Sequence, residues 1–201
     1  MNVLTICSAL NNSYIALKKD DKTFSKIIKS DKNYHSLYLI KEIKKICKDN
    51  DFELKDLDLI VTNLGPGSFT GIRVSLTVAK VMASELNLPL VGLNTNEILL
   101  DAFDCDYLVM DARRDMYYVA DKNKIELIYK DKMPKLEGKI LSDKRSQELL
   151  SSICFEEKDI DLGKVMVKLA EAKYINSKSK DEFNYMNANA NYIQTPPVCM
   201  S

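Results

Sequence analysis

Apolar and polar positions change rhythm several times along the first hundred residues. Residues 3–8 are a short apolar run closed by Asn11 and Asn12; residues 13–17 alternate into Lys18-Lys19-Asp20-Asp21, and residues 23–29 resume the alternation. Three short strands joined by tight polar turns are expected. Over residues 34–48 the period lengthens: Leu39, Ile43 and Ile46, with Ile40 and Cys47 alongside, recur at three- and four-residue spacing, which predicts an amphipathic helix. Residues 57–62 read as a buried strand. A glycine-rich turn follows, then a long helical pattern to about Leu86, a strand over 89–93 and a helix from about Thr95 to Phe103.

The opening then returns. Apolar runs at 107–112, 116–120 and 124–129 predict three more strands, followed by a strand at 139–141, a helix over 146–153 and a helix over 162–175 with a stripe of Val165, Leu169, Ala172 and Ile175. The order predicts an α/β fold of two ribonuclease-H-like lobes, the duplicated βββαβα arrangement of the actin and sugar-kinase superfamily. The expected division is an N-terminal lobe over 1–103 and a smaller, divergent lobe over 104–201. The Asn-rich stretch 177–191 reads as a polar surface tail with little order of its own.

Composition narrows the chemistry. Across 201 residues, 29 Lys and Arg balance 29 Asp and Glu, which argues against a basic nucleic-acid reader acting alone. One histidine, His35, excludes a multi-histidine metal centre, so no metal site is expected. With Ser36 or Ser68 it would make a nucleophile and base, but no orienting acid or oxyanion site accompanies it. Lys41, Lys44, Lys45 and Lys48 read as a solvated helix face. Five cysteines without a CxxC pair read as reduced thiols, and no signal-peptide pattern or 18-residue apolar run occurs. A soluble, cytoplasmic protein without membrane association is expected.

The turn Gly65-Pro66-Gly67-Ser68-Phe69-Thr70-Gly71 follows a strand and opens a helix, a place where backbone N–H groups can hold phosphate. Its G-x-G-x-x-x-G spacing fits neither the dinucleotide nor the P-loop fingerprint. The simpler reading is a tight junction: Pro66 stiffens it, the glycines free its backbone, and Ser68 or Thr70 caps the helix. In that helix Ile72, Leu76, Ala79, Ala83 and Leu86 form one stripe, while Val74, Val78 and Val81 form a second. Tyr34, Leu37 and Tyr38 add apolar surface to the preceding helix. The surplus fits either burial on two sides or contact with another protein.

The run Gly65-Pro66-Gly67-Ser68-Phe69-Thr70-Gly71-Ile72-Arg73, with Ala79-Lys80, Pro89-Leu90-Val91-Gly92, His35-Ser36, Asp111-Ala112-Arg113-Arg114, Tyr117 and Tyr192-Ile193, resembles the bacterial TsaB (YeaZ) family of tRNA threonylcarbamoyladenosine biosynthesis proteins. The resemblance is strong to about residue 120 and thin beyond. It implies a non-catalytic subunit that binds TsaD, which forms threonylcarbamoyladenosine beside the anticodon of tRNAs reading ANN codons. Tyr34, Leu37, Tyr38, Val74, Val78 and Val81 would make the heterodimer interface. It further implies TsaE as a third component, tRNA reached only through the complex, and ATP or ADP at the junction with TsaD and TsaE rather than on the chain alone. The same helices would also permit a homodimer. ATP-hydrolysing members of this superfamily carry an Asp at the end of the first strand, where this chain has Cys7. The competing expectation is a stand-alone enzyme of the same fold, an ATPase of sugar-kinase type or a glycoprotease-like peptidase.

Overall fold

The computed structural model describes residues 1–29 and 35–191, the side chains of 35–37 excepted. Its chain forms two compact units: the first comprises Met1–Thr95 with Asp161–Ala190, the second is built on Asn96–Ile160. No helix among the described residues is long and apolar enough to cross a membrane.

In the first unit, β1 (Val3–Cys7), β2 (Asn12–Lys19) and β3 (Lys22–Lys29) form an antiparallel meander, and β4 (Leu59–Gly65) and β5 (Leu90–Asn94) add parallel to β1 in the order β3-β2-β1-β4-β5. The β1 residues are all buried, as a central strand covered on both faces requires. On one face lie α1 (His35–Asp49) and α2 (Phe69–Leu86), which bring Leu39, Ile43, Ile46, Leu76, Ala79 and Ala83 onto Leu4, Ile6, Ile15, Leu17, Ile60 and Leu90. Asn87, left-handed at φ 53°, ends α2, its N–H returning to the carbonyls of Ala83 and Ser84.

The other face is covered by α4 (Leu162–Asn176), which packs on β1, β2 and β5 and whose Gly163 sets its backbone against Ala16. Two expectations change here. The last helix belongs to the first unit, so packing groups the chain differently from a division into 1–103 and 104–201. Its buried stripe is Leu162, Met166, Val167 and Ala170, and Ile175 is exposed. Lys164, Lys168 and Glu171 mark a charged strip, the apolar arc around it is broad, and Gly163 lies in the part of that arc that meets the sheet. The segment after it is also anchored, contrary to a loose tail: Phe183 and Ala188 are buried, and the Phe183 ring lies 5.1 Å from that of Tyr174. Tyr185 and Ala188 reach the core beneath α2.

The second unit repeats the strand order. Antiparallel β6 (Tyr107–Asp111), β7 (Met116–Ala120) and β8 (Ile125–Tyr129) are joined in parallel by β9 (Ile140–Ser142) and β10 (Ile153–Cys154), giving β10-β9-β6-β7-β8. Most of α3 (Thr95–Phe103) belongs here. The fold is α/β with two ribonuclease-H-like sheets. The helices of the repeat are reduced: the segment expected to be helical over 146–153 holds a 3-10 turn, Ser146–Glu148, and then β10. Pairing with β9 and a 2.7 Å bond between the hydroxyls of Ser142 and Ser152 override the helical spacing of Leu149, Leu150 and Ile153. The four described cysteines, Cys7, Cys47, Cys105 and Cys154, are free and buried, and Cys199 lies outside the described residues.

Candidate functional site

The glycine-rich turn is built inward from β4. Asn63, buried in that strand, accepts the Gly65 N–H at 2.6 Å through Oδ1 and donates from Nδ2 to the Thr95 hydroxyl at 3.2 Å. Thr95 in turn donates to the Pro66 carbonyl at 2.5 Å. The Gly65–Pro66 peptide is cis. Beyond it the Ser68 N–H donates to the Ala9 carbonyl at 2.7 Å, the Ser68 hydroxyl accepts the Gly71 N–H at 3.2 Å, and the Ser68 carbonyl accepts the Ile72 N–H at 2.8 Å. Ser68 is therefore the N-cap of α2. A Cβ on Gly67 would stand 2.2 Å from the Ala9 carbonyl oxygen, and one on Gly71 1.8 Å from that of Ser8. These glycines let the turn lie directly on the chain that leaves β1.

The amides of Gly65, Ser68 and Gly71 are thus engaged by the chain's own oxygens, as in a tight junction. Ser8 Oγ and Thr62 Oγ1, both buried near this junction, have no hydrogen-bond partner among the described residues. Cys7 ends β1 completely buried, and burial pushes its thiol up to about 11. At that value it is neutral near pH 7 and unable to act as an anionic ligand. No group of three or more His, Cys, Asp or Glu among the described residues could hold a metal ion.

The outward half of the motif differs in character. Phe69 is 43% exposed and the Arg73 guanidinium stacks over its ring at 3.9 Å. Further along α2, Val81 is 56% exposed, whereas Val74 and Val78 are half-buried and pack against the core. The second stripe is therefore divided, its last residue facing outward and the other two serving as its footing. On α1 Tyr38 is 42% exposed; Tyr34 and the side chain of Leu37 lie outside the described residues.

Ile40, which sequence periodicity places beside the core stripe, is 51% exposed. Glu42 binds Lys26 of β3, so its flank of α1, which Tyr38 shares one turn earlier, faces β3. Ile40 falls on the opposite flank, toward α2. Of the ten large apolar residues exposed among those described, Tyr38, Ile40, Phe69 and Val81 lie on these two helices. On α2 the exposed Thr77, Val81 and Ser84 are uncharged, and the exposed charges Arg73 and Glu85 stand toward its two ends.

Asp111 closes β6 in the second unit. Its Oδ2 binds Arg145 at 3.0 Å, its Oδ1 accepts the Arg113 N–H at 2.9 Å, and its own N–H donates to Asp143 Oδ2 at 2.7 Å. Arg113, Arg114 and Asp115 are all left-handed. Tyr117 beside them has its hydroxyl pKa raised, first by desolvation and then by Asp111 and neighbouring carboxylates. The carboxylates' oxygens are spent on arginines and backbone amides, which makes this group a brace for the turn after β6.

Residues 22–151 match the family model described as TsaD, tRNA N6-adenosine threonylcarbamoyltransferase. A tRNA threonylcarbamoyladenosine biosynthesis protein TsaB of Bacillus subtilis is 32% identical over 122 residues, covering 59% of this chain and 53% of the relative. Another from Buchnera aphidicola of Baizongia pistaciae is 34% identical over 100 residues, 49% of this chain and 45% of the relative. The match thus spans about half the length of these curated relatives. A TsaB of Buchnera aphidicola from Acyrthosiphon pisum is 25% identical over 194 residues, 96% of this chain and 83% of the relative. Among solved structures, a Pseudomonas aeruginosa protein described as similar to peptidase YEAZ superposes with a TM-score of 0.78 at 15% identity, covering 96% of this chain and 99% of its own. YeaZ from the same organism superposes with a TM-score of 0.72 at 15% identity, covering 87% and 92%. At that identity the likeness is one of fold.

Proposed function

The chain belongs to the family that the TsaD model describes and, within it, with the TsaB/YeaZ proteins, and from that premise we propose that it is a non-catalytic subunit supporting threonylcarbamoyladenosine formation in tRNA by a TsaD-type transferase. The observation that carries this reading is the concentration of exposed apolar side chains on α1 and α2, Tyr38 and Ile40 on the first and Phe69 and Val81 on the second. Such a surface favours helix-on-helix docking with a partner that presents the same kind of face. TsaD is that partner, and Val74 and Val78 support the docking surface from beneath. Tyr34 and Leu37, whose side chains lie outside the described residues, are proposed to take part in it.

Catalysis belongs to the partner. At the end of β1, where an ATP-hydrolysing protein of this fold holds an acid, Cys7 is neutral and buried, and three amides of the following motif, Gly65, Ser68 and Gly71, are engaged by the chain's own oxygens. TsaE joins the pair, ATP or ADP is held at the junction of the three, and tRNA is engaged through the complex in the cytoplasm. The alternative of a homodimer through the same helices is a competing state that TsaD displaces.

Co-expression with the TsaD of the same organism tests this reading. A complex recovered by size-exclusion chromatography, and loss of threonylcarbamoyladenosine from tRNA in a deletion strain, are expected. Failure to associate together with normally modified tRNA overturns it.

A further inference from the structure

We propose that the outer crest of α1 is a contact for the phosphate backbone of RNA, an inference that rests on the assignment of the chain to a tRNA-modifying assembly. The formal charge of zero conceals a division. The first unit carries 18 Lys and Arg against 14 Asp and Glu, the second 11 against 15. Four of those lysines stand on α1. Its buried stripe is Leu39, Ile43, Ile46 and Cys47, and at 100° per residue Lys41, Lys45 and Lys48 fall opposite that stripe, with Lys44 beside them. All four are exposed.

The two carboxylates of this helix are already committed: Glu42 to Lys26, and Asp49 to Lys45 at 3.2 Å. Lys41, Lys44 and Lys48 have no carboxylate partner among the described residues. Within the helix Lys44 stands three residues from Lys41 and four from Lys48, a like-charge spacing that destabilises a helix standing alone. From Lys41 to Lys48 the row runs about 10 Å along the helix. A row of uncompensated ammonium groups along one crest complements a row of phosphates, and the pathway in which the relatives are named acts on tRNA.

The test uses the assembled complex of this chain with TsaD, titrated with tRNA at several sodium chloride concentrations. Lys41, Lys44 and Lys48 are replaced together by Gln, which keeps helix propensity, and in a second variant by Arg. The Gln variant is expected to lower the slope of log affinity against log salt by about 2 to 3 and to weaken binding at low salt at least about tenfold, while the Arg variant stays within about twofold. Size-exclusion chromatography of the same preparations reads assembly. An assembled Gln complex with an unchanged slope overturns the RNA contact and leaves the subunit reading intact. Loss of TsaD from the Gln variant assigns the lysines to an acidic protein surface and also overturns it. A wild-type chain that never assembles with TsaD removes the premise itself, and the inference falls with it.

Discussion

The carbonyl oxygen of Ser8 stands 1.8 Å from the point a Cβ on Gly71 would occupy, so the first turn of α2 is seated on the chain leaving β1 with no room for a side chain. Gly71→Ala must displace backbone, and we expect a loss of about 3 kcal/mol in urea unfolding. Gly92→Ala provides the contrast. Its Cβ would meet the Leu64 side chain, 2.4 Å away at the nearest carbon, which can rotate aside, so a cost of about 1 kcal/mol is expected. Equal midpoints for the two variants would show that the seating at Ser8 is soft.

Thr95 links the motif to the end of β5. Thr95→Val keeps the volume but removes the donor to Pro66 and the acceptor for Asn63, leaving buried polar groups unpaired. The expected cost is about 1–3 kcal/mol, measured by thermal or chemical denaturation. A Val variant as stable as the parent would mean that water replaces the hydroxyl without penalty.

Most of the fold was legible because periodicity and burial agree. The strands of both sheets, α1, α2 and α3 follow directly from alternating and three-to-four spacing, and the repeated strand order predicts the duplicated sheet. Agreement failed where tertiary contacts chose among equivalent local patterns. Leu149, Leu150 and Ile153 have helical spacing, yet only a 3-10 turn precedes them and Ile153 pairs with Leu141 as a strand, and the broad apolar arc of α4 left open which part of it meets the sheet, where Gly163 lies against Ala16. The Asn-rich tail hid its anchors, since Phe183 and Ala188 are isolated in a polar stretch. At the candidate surface, Ile40 was concealed by its neighbours Leu39 and Ile43. The signal that separates it is the bond between Glu42 and Lys26, which a one-dimensional pattern does not contain.

Exposure predicts which interface variants are informative. Val81→Asp and Ile40→Asp place a charge where water already reaches, so the chain should remain folded, within about 0.5–1 kcal/mol, while association with TsaD falls by at least about tenfold. Val78→Asp puts a carboxylate against the core and should unfold the protein instead. Pull-down and circular dichroism read the two effects separately. Retained binding by both exposed variants would move the interface away from this face.

Cys7 makes stability depend on alkaline pH. Its thiol is raised from 9.0 to about 11 by burial, so above about pH 9 the unfolded chain loses a proton that the folded chain keeps. The folded state is then disfavoured progressively up to about pH 11, by on the order of 2–3 kcal/mol relative to Cys7→Ala. Below pH 9 the pH dependence of the two proteins should coincide. Parallel stability curves through pH 11, or rapid alkylation of Cys7 in the native protein at pH 8, would contradict its burial as a neutral thiol.

The return of α4 to the first unit imposes an order on biosynthesis. When the ribosome has released residues 1–95, all five strands of the first sheet exist, yet the face that meets Leu162, Met166, Val167 and Ala170 is bare. The second unit, contiguous over Asn96–Ile160, can close before the first is finished. The nascent first sheet must therefore wait, apolar on one side, for the length of an entire intervening unit, and during that interval it is a natural client for chaperones.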